Sequence, residues 1–147
     1  GLSLPPEHFS MFHDFFIQAV QIELQGVSLE GEILSDGSLE PASFCLDVAK
    51  TLQQGGPWGQ QFLEPVFDDV FDILDSRVVG KHHLKFVLRH EQGGEALDAI
   101  AFNIDKERWP NHRTQRLHAA YKLDINVYRG RERLQLMLLD FDTSGVC

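Results

Sequence analysis

The sequence predicts an α+β fold in which two helices and a short strand-like connector precede a five-stranded β-barrel. Two observations predict this fold. Apolar residues recur at spacings of three and four within residues 6–25 and 41–54, which is the period of a helix. From residue 67 onward, apolar residues instead alternate with polar ones, and turn-forming sequences separate the alternating segments.

The two predicted helices have clear start and stop signals. The first, residues 6–25, begins at a proline and is followed by Gly26, while the second, residues 41–54, begins at a proline and is followed by two glycines. Residues 27–39 between them are short and strand-like. Phenylalanines give the first helix a wide apolar face, which predicts burial on both sides or against a further domain.

Five strands are predicted for the second part of the chain. Residues 67–79 alternate unevenly, which indicates a long strand with a bulge or a bend. Residues 83–90 alternate cleanly, whereas residues 97–104 are apolar on both faces. The last two strands lie within residues 117–141 and form an antiparallel hairpin. A polar loop, residues 105–115, precedes that hairpin.

The hairpin tip is Arg129-Gly130-Arg131, where the glycine permits a tight turn. A long, bent first strand and an excursion between the third and fourth strands are the order of an OB-fold. This fold is a small Greek-key barrel that often binds oligonucleotides on its second and third strands. The predicted architecture is therefore a Greek-key OB-fold barrel preceded by two helices.

Charge is distributed unevenly along the chain. The net charge is −9, but residues 1–76 hold one basic and 13 acidic residues, whereas residues 77–147 hold 12 basic and 9 acidic residues. The first part therefore has a charge of −12 and the second a charge of +3. This asymmetry indicates an anionic partner for the basic part, or two modules with different surfaces.

The two cysteines, Cys45 and Cys147, lie far apart in the sequence, so a reducing cytoplasm is expected rather than a structural disulfide. No apolar run approaches the ~20 residues that a membrane-spanning helix needs, so no membrane partner is expected. The chain begins with Gly1 and not with methionine, and we interpret it as a processed or excised piece of a longer protein.

Four segments resemble the RecJ family of single-stranded-DNA-specific exonucleases. They are GPWG…EPVF at residues 56–67, VGKHHLK at 79–85, DAIAFN at 98–103 and LDINVYRGRE at 123–132. The segments follow the order found in the family. The resemblance implies that residues 1–26 are the C-terminal end of a DHH-associated domain, residues 27–54 a helical connector, and residues 55–147 an OB-fold barrel.

The resemblance also bears on catalysis. RecJ enzymes resemble DHH phosphoesterases, whose aspartates and histidines hold metal ions that activate water. Those residues lie in an N-terminal domain, and this chain contains no Asp-His-His run. The parent protein is therefore expected to need manganese or magnesium. This fragment is expected to hold no cofactor and to be inactive alone.

The function implied by the resemblance is single-stranded-DNA binding within a 5′-to-3′ single-strand exonuclease used in DNA repair and recombination. Such a site needs cations along the phosphate chain and aromatic faces for the bases. The expected phosphate contacts are Arg77, Lys81, Lys85, Arg89, Arg129 and Arg131, and the expected stacking residues are Trp58, Tyr121 and Tyr128. The basic row could instead be the solvated face of a strand, and Trp58 could pin a linker onto the domain.

The expected partners are single-stranded DNA and the catalytic DHH domain of the same parent chain. Other DNA-repair proteins are further candidates, and the expected location is the cytoplasm. A second hypothesis is a structural or protein-interaction domain that closes the nuclease clamp, since the acidic first part of the chain would repel phosphate. A third is an independent hydrolase with a metal on the carboxylate cluster Asp68, Asp69, Asp72 and Asp75.

Overall fold

The computed structural model describes residues 3, 5–23, 31–59, 62–80, 82–104 and 115–143. The chain forms two compact units, Gly1–Ile33 and Leu34–Cys147.

The described residues of the first unit form one α-helix. A turn of 3-10 helix at Pro6–His8 leads into helix α1, Phe9–Glu23. The rings of Phe12 and Phe16, one helical turn apart, stack with their centroids 5.7 Å apart. The predicted first helix is confirmed as far as Glu23, because residues 24–30 lie outside the described part of the chain. No described helix is long and apolar enough to cross a membrane.

The second unit begins with a segment that runs beside the barrel. Residues 34–40 form neither helix nor strand. The backbone N–H of Asp36 donates to the carbonyl of Val66 over 2.7 Å, and that of Asp68 donates to the carbonyl of Gly37 over 3.2 Å. In these residues, the strand-like character predicted for residues 27–39 is limited to those two hydrogen bonds.

Helix α2, Leu46–Gln54, packs against the barrel. A turn of 3-10 helix at Pro41–Ser43 precedes it, and Phe44 separates the two because its backbone leaves the helical region at φ −77° and ψ 69°. Ala49 on α2 is fully buried, and the ring of Phe44 packs against the core. The helix predicted over residues 41–54 is thus two pieces, joined by a residue that contributes to the core.

Five strands form a closed barrel. They are β1 (Phe67–Val79), β2 (His83–His90), β3 (Leu97–Ala101), β4 (Arg116–Tyr128) and β5 (Arg131–Asp142), in the spatial order β1-β2-β3-β5-β4. All neighbouring strands are antiparallel except β3 and β5, which are parallel. This arrangement confirms the predicted OB-fold. Strand β3 ends before the predicted residue 104, since Asn103 has a φ of 54° that an extended strand does not permit.

A β-bulge in β1 changes which of its residues face outward. The register shifts between Ile73 and Asp75. Phe71, before the bulge, is fully buried, whereas Arg77, after it, pairs with Lys85 on the outer face of β2. Strict alternation would place Arg77 on the same face as Phe71, because both have odd numbers. The bulge therefore brings two cations of neighbouring strands together.

Candidate nucleic-acid interface

An open groove of about 750 Å³ crosses the outer face of the barrel and reaches the tip of the β4–β5 hairpin. All five strands and the hairpin turn contribute to it. Its lining residues are Arg77, Lys85, Asp98, Asn126, Tyr128, Arg129, Arg131 and Arg133. Five of these eight residues are cations and one is a carboxylate, so the groove is strongly basic on a chain that is acidic overall.

The hairpin tip is a two-residue turn. Arg129 has a φ of 50° and Gly130 a φ of 74°, and the flanking residues Tyr128 and Arg131 are cross-strand partners. Two successive residues with positive φ are typical of a type I′ turn, whose twist matches that of paired strands. The side chains of Tyr128 and Arg131 therefore lie next to each other on the outer face of the two strands. Arg133 is on the same face, two residues further along β5.

Glu132, the acidic residue next to the hairpin tip, is turned away from the groove. Glu132 lies between Arg131 and Arg133 in the sequence, so its side chain points to the opposite face of the strand. There its Oε2 lies 2.5 Å from Nζ of Lys50 on helix α2. The hydrogen bond and the charge of Glu132 raise the pKa of Lys50. This ion pair joins α2 to the hairpin and offsets the negative charge beside the groove cations.

The groove cations also differ in their partners from three of the four described lysines and arginines outside the groove; the fourth, Arg89, forms no ion pair with the described residues either. Lys50, Arg116 and Lys122 each form an ion pair with a carboxylate, at N···O distances of 2.5, 2.8 and 2.8 Å. Within the described part of the chain, none of the five groove cations forms an ion pair. Their charge is therefore available to an anionic ligand such as a chain of phosphates.

Tyr128 provides an aromatic surface in the groove. Its side chain is 64% exposed, and the guanidinium carbon of Arg129 lies 5.2 Å from its ring centroid. An exposed ring beside a cation is suited to stacking with a nucleobase.

Tyr121 is a core residue and not a stacking residue, so that expectation is wrong. Its side chain is fully buried, and its hydroxyl donates to Oδ2 of Asp69 over 2.6 Å. The alternation of β4 already places Tyr121 on the apolar face with Leu123, opposite to the face that carries Tyr128. A tyrosine on that face is enclosed when the barrel closes.

Trp58 does not line the groove. Its indole N–H donates to the carbonyl of Leu52 at the end of α2 over 3.0 Å, and its ring stacks on Phe62 with a centroid distance of 5.0 Å. A Cβ atom on Gly56 would lie only 2.7 Å from the Phe62 ring, so a glycine is needed for this packing. The geometry agrees with the interpretation that Trp58 pins the linker, and its contact with DNA stays a prediction.

The structure groups most of the predicted phosphate contacts. Arg77, Lys85, Arg129 and Arg131 meet in the groove. Arg89 is exposed on the outer face of β2, as its alternation with buried residues predicts, but it does not line the groove. Lys81 lies outside the described residues.

Three groove residues were missed by the sequence-based prediction: Asn126, Arg133 and Asp98. Arg133 could have been found, because it shares the outer face of β5 with Arg131. Asp98 could not be found in the same way. Its position depends on the parallel pairing of β3 with β5, which joins Asp98 to Gln135 and has no local sequence signal.

The carboxylate cluster of β1 is used in hydrogen bonds. Asp68 accepts one from the hydroxyl of Ser35 and lies 2.9 Å from Nε2 of His118, and these two contacts lower its pKa. Asp72 accepts a hydrogen bond from Nε of Arg116 over 2.8 Å. Among the described residues, no three histidine, cysteine or acidic side chains are arranged to hold a metal. The hydrolase hypothesis therefore gains no support from this cluster.

Asp69 is the centre of a buried network. The backbone N–H of Gln92 donates to Nδ1 of His90 over 3.1 Å, which leaves the ring proton on Nε2, 3.1 Å from Oδ1 of Asp69. The other carboxylate oxygen, Oδ2, accepts from Tyr121 and from the backbone N–H of Leu39 over 3.0 Å. The network ties the segment before α2 to the barrel, and it explains how a nearly buried aspartate is accommodated.

Comparison with known proteins agrees with this architecture. Residues 35–140 match the sequence profile of the RecJ OB domain. The single-stranded-DNA-specific exonuclease RecJ of Escherichia coli K12 is 44% identical over 138 residues, which are 94% of this chain and 24% of that protein. The Haemophilus influenzae protein of the same name is 45% identical over 140 residues, again 94% and 24%. The chain thus spans about a quarter of the length of these curated relatives.

Solved structures show the same fold. The crystal structure of RecJ from Thermus thermophilus in complex with Mg²⁺ superimposes with a TM-score of 0.66 at 17% identity, over 98% of this chain and 21% of that one. The complex with Mn²⁺ gives 0.66 at 18% identity, over 99% and 21%. With the profile matching most of the barrel unit, the conclusion is that this chain belongs to the RecJ OB domain family.

Proposed function

We propose that this chain is the single-stranded-DNA-binding module of a RecJ-like 5′-to-3′ exonuclease used in DNA repair and recombination. The observation that carries the proposal is the groove, where five cations without carboxylate partners among the described residues surround an exposed tyrosine. The module positions DNA for a catalytic DHH domain of the same parent chain, which uses manganese or magnesium. The fragment alone does not cut DNA.

The proposed binding mode follows from the chemistry of the groove. Phosphates lie along the guanidinium and ammonium groups, and their binding releases counterions. A base stacks on Tyr128, whose ring is open to solvent and adjacent to Arg129. A duplex, in which the bases are already stacked on each other, cannot make that second contact, so single strands bind more tightly.

The test is the fluorescence anisotropy of a labelled single strand of mixed sequence, with the matching duplex as control. With five phosphate contacts, we expect log K to fall with log salt concentration at a slope of roughly −3 to −4. Replacement of Arg129, Arg131 and Arg133 by alanine should reduce the magnitude of that slope by about 2. No binding at low salt, or equal binding of strand and duplex, would overturn the proposal.

Single replacements add a control for charge. Lys85→Gln removes a groove cation, whereas Lys122→Gln removes a cation that already pairs with Glu64 outside the groove. We expect Lys85→Gln to weaken binding about fivefold or more, since contacts with charged groups are worth roughly 1 kcal/mol or more. Lys122→Gln should cause a smaller loss.

A structural or protein-interaction domain that closes the nuclease clamp is the second candidate. One observation favours it: within the first unit, Phe9, Phe15 and Phe16 of helix α1 are 62%, 66% and 57% exposed, as expected for a face that contacts another domain.

The division into residues 1–26, 27–54 and 55–147 remains part of the proposal. So do the cytoplasmic location and contacts with other DNA-repair proteins, which rest on family membership.

A further inference from the structure

Among the described residues that line the groove, one is acidic, Asp98 on β3. It lies between Leu97 and Ala99, which are both buried, so its side chain is on the outer face of the barrel. Its cross-strand partners are Val87 on β2 and Gln135 on β5. Asp98 is therefore on the floor of the groove, in the strand between β2 and β5, both of which carry groove cations.

The surroundings of Asp98 are cationic. Lys85 is two residues from Val87, and Arg133 is two residues from Gln135, so each is a diagonal neighbour of Asp98. Diagonal neighbours on paired strands are about 7–8 Å apart, which keeps Lys85 within the electrostatic range of the carboxylate. Nevertheless, the Asp98 side chain forms no ion pair or hydrogen bond with the described residues. The Asp98 carboxylate thus lies among the groove cations without a hydrogen-bond or ion-pair partner in the described part of the chain.

A carboxylate at this position constrains any nucleic acid that the groove binds. It repels phosphate, so the phosphate chain follows the cations at the sides and the bases lie over β3. An ionised carboxylate only accepts hydrogen bonds, so the base above it must donate one. The exocyclic amino group of cytosine is such a donor, and aspartate is a recognised acceptor for it. The only hydrogen-bond donor of thymine is N3–H. The carbonyl oxygens on both sides of it repel an approaching carboxylate.

We propose that Asp98 is a specificity-determining residue that makes the groove prefer bases with an exocyclic amino group, so that cytosine is bound in preference to thymine. The proposal rests on the proposed function, since it requires that the groove binds a single strand. Asn126, also in the groove, carries an amide that both donates and accepts, so it does not impose the same preference.

The test compares labelled oligo-dC and oligo-dT of equal length by fluorescence anisotropy, at a pH where cytosine is uncharged. We expect oligo-dC to bind about tenfold more tightly, which is the effect of one hydrogen bond to a charged group. A third oligonucleotide, in which hydrogen replaces the 4-amino group of each cytosine, should bind like oligo-dT. Equal binding of the three would overturn the role of Asp98 and leave DNA binding intact, whereas binding of none would overturn the proposed function as well.

Two variants separate recognition from general electrostatics. Asp98→Asn should bring the ratio of the two affinities close to one, because the amide can also donate to thymine O4. Asp75→Asn is the matched control: Asp75 is exposed on β1, pairs with the same Val87 and does not line the groove. It should change both affinities by the same factor. An unchanged ratio in Asp98→Asn would mean that Asp98 acts only through its charge, and would overturn the proposal.

Discussion

Tyr121 donates its hydroxyl hydrogen to Oδ2 of Asp69 over 2.6 Å, and both side chains are enclosed between the barrel and the segment before α2. The bond joins β4 to β1 at the point where the barrel closes. Burial, together with the Asp69 carboxylate, raises the pKa of the Tyr121 phenol, so the hydroxyl keeps its proton in the folded chain. With the contacts from His90 and the backbone N–H of Leu39, this hydrogen bond accommodates a buried aspartate.

Removing that hydroxyl should destabilise the fold. Tyr121→Phe keeps the ring but leaves Asp69 with one donor fewer in a buried position. We expect the free energy of unfolding to fall by about 1.5–3 kcal/mol, the usual value of a hydrogen bond to a charged group. Urea denaturation followed by circular dichroism measures it. Tyr128→Phe, at an exposed position, is the control and should stay within about 0.5 kcal/mol of the parent chain.

The sequence predicts the strands of this barrel better than it predicts their long-range contacts. Strand β2 has the bounds predicted for it, because buried and outer residues alternate without interruption from Leu84 onward. The uneven pattern of β1 indicates a bulge. Only the pairing of β1 with β2 shows that the bulge moves the Arg77 side chain from the inner to the outer face of the barrel. The contacts of Tyr121 with Asp69 and of Glu132 with Lys50 join residues 52 and 82 positions apart, so no local pattern reports them.

For the candidate site, too, the sequence predicts individual residues but not how they come together. The cations of the hairpin tip are visible because a turn must separate two alternating segments. Their assembly with Arg77 and Lys85 depends on closure of the barrel, whereas Arg89, four residues from Lys85 along β2, does not line the groove.

Arg77 and Arg89 provide a direct comparison of the sequence-based and structure-based sites. Both were predicted to contact phosphate, but only Arg77 lines the groove. We expect Arg77→Ala to reduce the magnitude of the salt slope by about 0.7, the value for one phosphate contact on a single strand. Arg89→Ala should leave the slope nearly unchanged. Equal losses in anisotropy titrations would show that the DNA path continues along β2 beyond the groove.

Acid stability should depend on Ser35. The hydroxyl of Ser35, followed by His118, lowers the pKa of Asp68, so the ionised carboxylate favours the folded state. This contribution is present above the ordinary pKa of 3.8 and is lost as the pH falls through the lower folded-state value. In Ser35→Ala the pKa of Asp68 rises towards its ordinary value. The free energy of unfolding, measured by urea titration at several pH values below about 5, should then fall less steeply with acidification than in the parent chain. An unchanged slope would contradict the assignment.

The ion pair of Lys50 with Glu132 should affect DNA binding although neither residue lines the groove. In Lys50→Ala, the charge of Glu132 is no longer offset beside Arg131 and Arg133, and we expect single-strand affinity to fall about twofold to threefold at low salt. Adding Glu132→Gln should restore it, because the uncompensated charge is then removed. If the double variant binds as weakly as Lys50→Ala, the ion pair acts by holding the hairpin in place and not through its charge.

The chain should bind single strands without cutting them. Its β1 carboxylates Asp68, Asp69 and Asp72 are all hydrogen-bonded, and no metal cluster is present in the described residues. A labelled single strand incubated with the chain and Mn²⁺ or Mg²⁺ should keep its full length on a denaturing gel. EDTA should leave binding unchanged at matched ionic strength. Shortened products that are absent with the Asp72→Asn variant would instead support the hydrolase hypothesis. Products that persist with that variant would indicate a contaminating nuclease.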